Sequence, residues 1–338
     1  MTETTSPHRR SPEHVHVSGV AHAHGIVDHS IASSQRGIWA VKWSFVGLLT
    51  TAALQIVVVI ISNSVALLAD TIHNIGDALT AVPLGIAFLF ARLKPTQKFS
   101  YGYGRIEDLA GVAVVLTILA SAVIAGFEAI DRLFHPVQVS HLLAVIAASI
   151  IGFAGNEGVA RFRIKVGKEI GSAALVADGY HARVDGWTSL SVLLGAIGVW
   201  LGLPLADPLV GIGITVAILF IVWQSGKSVV TRMLDGVESD LLTEIVHTAR
   251  HVPGVKSVVE VRARWLGHRL RIEINASVDS HLSVVEGHEI AIEVRHQLLH
   301  RFEHLGDVFV HIDPEEQSGE DHHRAHSHVQ NGLDPHSH

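Results

Sequence analysis

Two nine-residue segments carry the same polar signature inside apolar surroundings. Ala69-Asp70-Thr71-Ile72-His73-Asn74-Ile75-Gly76-Asp77 and Ala177-Asp178-Gly179-Tyr180-His181-Ala182-Arg183-Val184-Asp185 both read A-D-x-x-H-x-x-x-D. At about 100° per residue, the Asp four positions after each His lies about 40° round a helix from it, and the Asp three positions before lies about 60° round on the same side. Each helix therefore presents one stripe of carboxylate and imidazole. His73, Asp77, His181 and Asp185 together supply the four nitrogen and oxygen ligands of a tetrahedral zinc-type site. Asp70 and Asp178 suit a supporting role, orienting the imidazoles or packing the helices. Protons and metal compete for the same ligand atoms, because metal needs neutral imidazole and ionised carboxylate.

These stripes must be held by apolar helices. Of 338 residues, 48% are hydrophobic and 17% charged, with a mean hydropathy of +0.37. A soluble domain carries about 25% charged residues, so this composition excludes a disordered chain and points away from an ordinary soluble globule. Six apolar stretches run at 39 to 61, 65 to 91, 109 to 130, 141 to 160, 173 to 200 and 206 to 225, near the ~20 residues that cross a bilayer. Arg92, Lys94, Lys98 and Arg105 follow the second stretch, and Arg161, Arg163, Lys165 and Lys168 follow the fourth, whereas the opposite side has little besides Arg132. The positive-inside rule makes both basic loops, and both termini, cytoplasmic. Each motif histidine then falls about 13 Å into its span from opposite sides, so both stripes reach one depth near the midplane. Ionisable groups there cost at least about 2.5 to 3.5 kcal/mol each on insertion scales, which favours a metal site over helix-packing devices.

The remaining segments are polar. Residues 1–38 read as a disordered cytosolic arm with His8, His14, His16, His22, His24 and His29, and residues 315–338 as a disordered tail with six further histidines. Between the six-helix region, 39–226, and that tail, residues 227–314 carry soluble-domain patterning. An amphipathic segment at Asp240 to His251 precedes Pro253-Gly254, strands are expected at Val255 to Trp265 and Leu270 to Val278, a helix at Val284 to Phe302 and a last strand at Asp307 to Ile312. This α-β-β-α-β order predicts a small α+β domain with helices on one face of a sheet. A formal charge of −7 offers nothing to a nucleic acid, and the absence of cysteine excludes disulfides and thiolate metal sites.

The paired H-x-x-x-D motifs, the segment Tyr101-Gly102-Tyr103-Gly104-Arg105-Ile106-Glu107 and His311-Ile312-Asp313-Pro314 resemble the cation diffusion facilitator family over residues 39 to 314. The resemblance implies six transmembrane helices with a C-terminal cytosolic metallochaperone-like domain, a homodimer in the cell membrane, and export of divalent metal in exchange for protons. It carries the transport ligands onto His73, Asp77, His181 and Asp185. Histidine in both motifs looks like the zinc-transporting type, with Zn2+ as substrate and as a regulatory ligand. His288, His311 and Asp313 resemble the family's cytosolic metal ligands, whereas Val259 and Asn275 stand where other members place histidines, so a reduced site, completed by His268 or another side chain, is the expectation. The stretch Gln97 to Tyr103 lacks the histidines of an additional loop site found in some members. Arg105 and Asp235 fall where the family places a basic and an acidic residue that could join helix bundle to soluble domain.

The protein is thus expected to act without catalysing a reaction, by alternating access around the midplane site. A membrane metal sensor and an intramembrane metalloenzyme are the alternatives. The latter lacks H-E-x-x-H, for which His288-Glu289-Ile290-Ala291-Ile292 has isoleucine in the second histidine's place.

Overall fold

The computed structural model describes residues 29–62, 81–135, 142–203 and 205–318. Its membrane portion comprises α1 (His29–Ser62), α2 (Ala81–Phe90), α3 (Arg105–Phe134), α4 (Leu142–Glu169), α5 (Ala173–Trp200) and α6 (Ala206–Met233). Among the described residues, four helices are long and apolar enough to cross a membrane, namely α1, α3, α4 and α6. The 28-residue α5 matches α4 and α6 in length but carries Asp178, His181, Arg183 and Asp185. It lies among its neighbours, with its closest packing on α4 and further contacts to α6 and α3, while α1 packs on α4. Buried residues are apolar: Ala40, Leu84, Phe88, Ala110, Val166 and Leu175 join α1 through α5, and Ile118, Val184 and Ile218 join α3, α5 and α6. Outward positions such as Ile60, Phe127 and Trp223 remain exposed apolar surface, as lipid-facing side chains do.

The helices outrun the apolar stretches that announce them. The fourth stretch ends at residue 160, but α4 continues to Glu169 because Arg161, Arg163, Lys165 and Lys168 are good helix formers. Gly171, at φ +71°, then ends the helix, and the Ser172 hydroxyl accepts a hydrogen bond from Leu175 N–H at 3.1 Å to start α5. Arg163 is therefore a helical residue, fully buried, and not part of a cytoplasmic loop.

Beyond α6 lies the α+β unit: α7 (Ser239–Arg250), β1 (Ser257–Leu266), β2 (Arg269–Val278), α8 (Val284–Arg301) and β3 (Leu305–Pro314). β2 is central, antiparallel to β1 and parallel to β3, with α8 as the crossover. Leu270, Ile272, Ile274 and Ala276 alternate onto the helix-covered face and pack on Ile245, Val294 and Leu298, while Arg271, Glu273 and Asn275 take the open face. The expected element order and one-sided helix layer are present.

A capping box starts α8. The Ser283 hydroxyl accepts from Glu286 N–H at 3.3 Å, and the Glu286 carboxylate accepts from Ser283 N–H at 2.8 Å. The Ser283 amide and hydroxyl hold the Glu286 carboxyl below its ordinary range. A lowered carboxyl pKa in the folded state means that this stabilisation is present above the unfolded value and lost as pH falls through the folded one. Ser283→Ala is expected to speed amide exchange over Val284–Gly287 several-fold at neutral pH, the loss of one cap costing about 1 kcal/mol. Hydrogen exchange with mass spectrometry reads this, and the difference from the parent should shrink in acid.

Candidate metal site in the membrane helices

His181 and Asp185 lie one turn apart on α5, both buried, with His181 Nε2 3.9 Å from Asp185 Oδ2. The predicted stripe thus points into the bundle. Asp70, His73 and Asp77, the other half of the expected constellation, lie outside the described residues. The Asp185 carbonyl accepts from the Thr188 and Ser189 hydroxyls, which turns both hydroxyls back onto the helix.

Close approach of α4 brings further charge to this region. A Cβ on Gly179 would lie 2.9 Å from the Ile164 amide nitrogen and 3.1 Å from Arg163 Cβ, so the two backbones meet at a distance that a larger residue would not allow. At that crossing Arg163 Nη1 stands 2.9 Å from Asp178 Oδ2, and both side chains are buried. Asp178 lies three residues, about 4.5 Å of helix rise, before His181. The sequence assigns it a supporting role beside His181; its partner among the described residues is Arg163. On the outer side of the same helix pair, Glu157 accepts from Arg161 Nε at 2.7 Å and from Arg183 Nε at 3.2 Å. Every carboxylate that α4 and α5 bury is matched by a cation or by the imidazole of the stripe.

The candidates in the α+β unit are less unified. His311 Nε2 is 2.9 Å from Asp313 Oδ1 on β3, opposite Asn275 and Ser277 of β2. His288 is exposed on α8. Among the described residues no set of three or more His, Asp or Glu side chains is arranged to hold a metal ion. His268 does not complete this pair, contrary to the expectation: it sits in the β1–β2 turn, seven residues along β2 from Asn275, roughly 23 Å at 3.3 Å per residue. Its Nδ1 instead meets Glu107 Oε2 at 2.6 Å, at the start of α3. Arg105 does form an ion pair with Asp235, as the sequence suggests, and its Nη1 also donates to the Met233 carbonyl at 3.1 Å.

Buried ligand chemistry on a lipid-exposed helix bundle, followed by a small α+β unit, is an arrangement that known proteins share. A cation efflux transmembrane domain model matches residues 41–234, and a cation efflux protein cytoplasmic domain model matches residues 237–315. The chain belongs to the cation diffusion facilitator family. A relative from Mycobacterium tuberculosis, named a probable cation efflux system protein, is 48% identical over 316 residues, covering 90% of this chain and 95% of the relative. The magnetosome protein MamB of a Magnetospira species is 27% identical, over 82% of this chain and 94% of its own. Metal tolerance protein C1 of Arabidopsis thaliana is 26% identical, over 75% of this chain and 57% of its own. A cadmium-form structure of the MamM C-terminal domain is 27% identical and covers 23% of this chain and 96% of its own, with a TM-score of 0.23. The protein is a membrane-embedded cation efflux transporter.

Two sets of residues escaped the sequence. Arg163 looked like one of four loop cations, and its only signal was a spacing from Lys165 and Lys168 that puts it on another helical face. His268 lies 161 positions after Glu107 and 160 after its neighbour Asp108, and nothing local marks it as their partner.

Breaking one member of a buried ion pair leaves an uncompensated charge and costs about 3 to 5 kcal/mol, whereas replacing both by apolar groups is close to neutral. Asp178→Leu and Arg163→Met are each expected to lower the yield of folded protein and flux severalfold, and the double variant is expected to regain the yield. Size-exclusion profiles and vesicle flux assays of the three variants measure this coupling.

Proposed function

We propose that the chain exports zinc from the cytosol by proton-coupled antiport, through a site formed by His73, Asp77, His181 and Asp185. The observation that carries this reading is the buried His181–Asp185 pair, aligned on one face of α5 and repeated in sequence by His73 and Asp77. Two carboxylates and two neutral imidazoles sum to −2, which a divalent ion cancels, and that neutrality lowers the cost of holding the loaded site among apolar helices. When the ion leaves on the far side, protons take its place on the same ligand atoms, and the return step carries them inward. Rocking of helices around a fixed midplane site is the motion that alternates its exposure. Zinc is favoured over harder ions because each motif contributes an imidazole.

The termini and the α+β unit face the cytosol of a cell membrane, a reading supported by the basic residues that follow the second and fourth apolar stretches. The chain acts as a homodimer. The open face of the sheet, where Phe309 is exposed between charged neighbours, offers a surface for a second copy. His311 and Asp313, which meet on β3, are the ligands of a weaker regulatory zinc site on that unit, and Asp70 and Asp178 support the transport ligands.

Two results test the site. Asp77→Ala and Asp185→Ala should each reduce zinc flux into proteoliposomes under an imposed pH gradient at least about a hundredfold, since losing one of four ligands in a dry site leaves the ion under-coordinated. Near-parental flux in either variant removes the assignment. His73→Asp makes the site harder and more anionic, and is expected to shift preference from zinc towards manganese in a competition assay with both metals. An unchanged metal profile would mean that selectivity is set elsewhere.

A further inference from the structure

The turn between β1 and β2 is seated in the membrane domain. Gly267 N–H donates to Asp108 Oδ2 at 3.3 Å, His268 Nδ1 meets Glu107 Oε2 at 2.6 Å, and His268 Nε2 lies 3.1 Å from the Ser34 hydroxyl. The His268 ring also faces Phe88, with centroids 5.9 Å apart, and Arg269 Nη2 donates to the Ala91 carbonyl at 3.0 Å. One turn of the soluble unit therefore touches the cytosolic ends of α1, α2 and α3 at once. Ser34, Phe88, Glu107 and His268 are all buried. The fit leaves no slack, because a Cβ on Gly267 would lie 2.7 Å from Glu107 Oε2 and 2.8 Å from the Gly104 carbonyl. Gly267 also holds φ at +64°, which L side chains avoid.

The chemistry of this seat differs from that of the nearby Arg105–Asp235 pair, whose side chains are 39% and 45% exposed. Water can replace each partner there, so the pair constrains little. Inside the seat, Glu107 and the imidazole have no water to fall back on, and a buried carboxylate is tolerated only while its partner stays in place. A joint of this kind is either made or broken. We propose that His268 and Glu107 are positioning residues for transport: the β1–β2 turn acts as a fixed key that holds the cytosolic ends of α1, α2 and α3 in one arrangement and moves with them through the transport cycle. The inference needs cation efflux but neither a particular metal nor proton coupling, so it survives failure of the zinc or antiport assignment.

The full-length chain in proteoliposomes tests this with cadmium and zinc as probe ions. His268→Leu removes the donor to Glu107, Gly267→Ala unseats the turn by bulk and backbone strain while leaving the His268 and Glu107 side chains themselves unchanged, and His268→Asn returns an amide N–H near the place of Nδ1. His268→Leu and Gly267→Ala should each lower maximal flux at least about tenfold, as a shift of about 1 Å in a positioned group does elsewhere. The half-saturating metal concentration should stay within about twofold of the parent, because no proposed transport ligand is touched. His268→Asn should recover most of the flux. The chain contains no cysteine, so spin labels can be placed on cysteines introduced at exposed Leu93 and Val285. Their distance distribution should be narrow in the parent and in His268→Asn, and broad in the two unseated variants. Parental flux in Gly267→Ala or His268→Leu overturns the proposal, and so does slow flux with an unchanged, narrow distance, which would assign the turn a chemical part in place of a positioning one. If His268→Leu does not fold, Gly267→Ala and His268→Asn still decide between these outcomes.

Discussion

An ionised side chain among membrane helices needs a partner within hydrogen-bonding reach, since hydrocarbon returns none of the several kcal/mol of hydration that it gives up. Much of the bundle follows from that requirement. α5 carries two carboxylates, a guanidinium and an imidazole within eight residues, too many for a lipid-facing helix, and it takes the position contacted by α3, α4 and α6. Its acid Asp178 is answered by Arg163 of α4, and its Arg183 by Glu157 of the same neighbour. Gly179 lets the two helices come close enough for the first of these pairs. With the other charges matched, His181 and Asp185 are left as the polar pair that the bundle turns inward.

The same requirement operates at the boundary with the α+β unit, with a different result. An ion pair and a buried carboxylate–imidazole hydrogen bond lie there within a few residues of each other. Arg105 and Asp235 are partly solvated, and such pairs contribute about 0 to 1 kcal/mol. Glu107 and His268 are enclosed, and their bond is the condition for enclosing them at all. Around them, Arg232 stacks over Trp265 at 4.2 Å and donates to the Gly171 carbonyl, linking the end of α6 to the α4–α5 turn and to β1. His304 packs against Trp265 and Gly171, and burial there lowers its pKa, which disfavours the charged imidazolium at this contact. Helix ends and sheet turn form one packed region.

The amino-acid sequence determined the features that depend on local period and composition. Apolar runs long enough for a bilayer, the α-β-β-α-β order, the alternation of Leu270, Ile272 and Ile274 against Arg271, Glu273 and Asn275, and the i,i+4 spacing of His181 and Asp185 are all readable because a helix or strand fixes which residues share a face. The family resemblance added the expectation of transport, carried by motifs and not by any contact. Tertiary structure alone decided what depends on distance through space. Arg163 reads as a loop cation until α4 is seen to continue past the apolar stretch and meet Asp178 fifteen residues later. His268 reads as a spare ligand for the His311–Asp313 site until the turn is seen to deliver it to Glu107, 161 positions earlier in the chain, at the opposite end of the sheet. Pairing of buried charges is an energetic condition that every sequence must meet, but the sequence does not say which partner meets it, because that choice is made by packing between elements with no regular spacing along the chain.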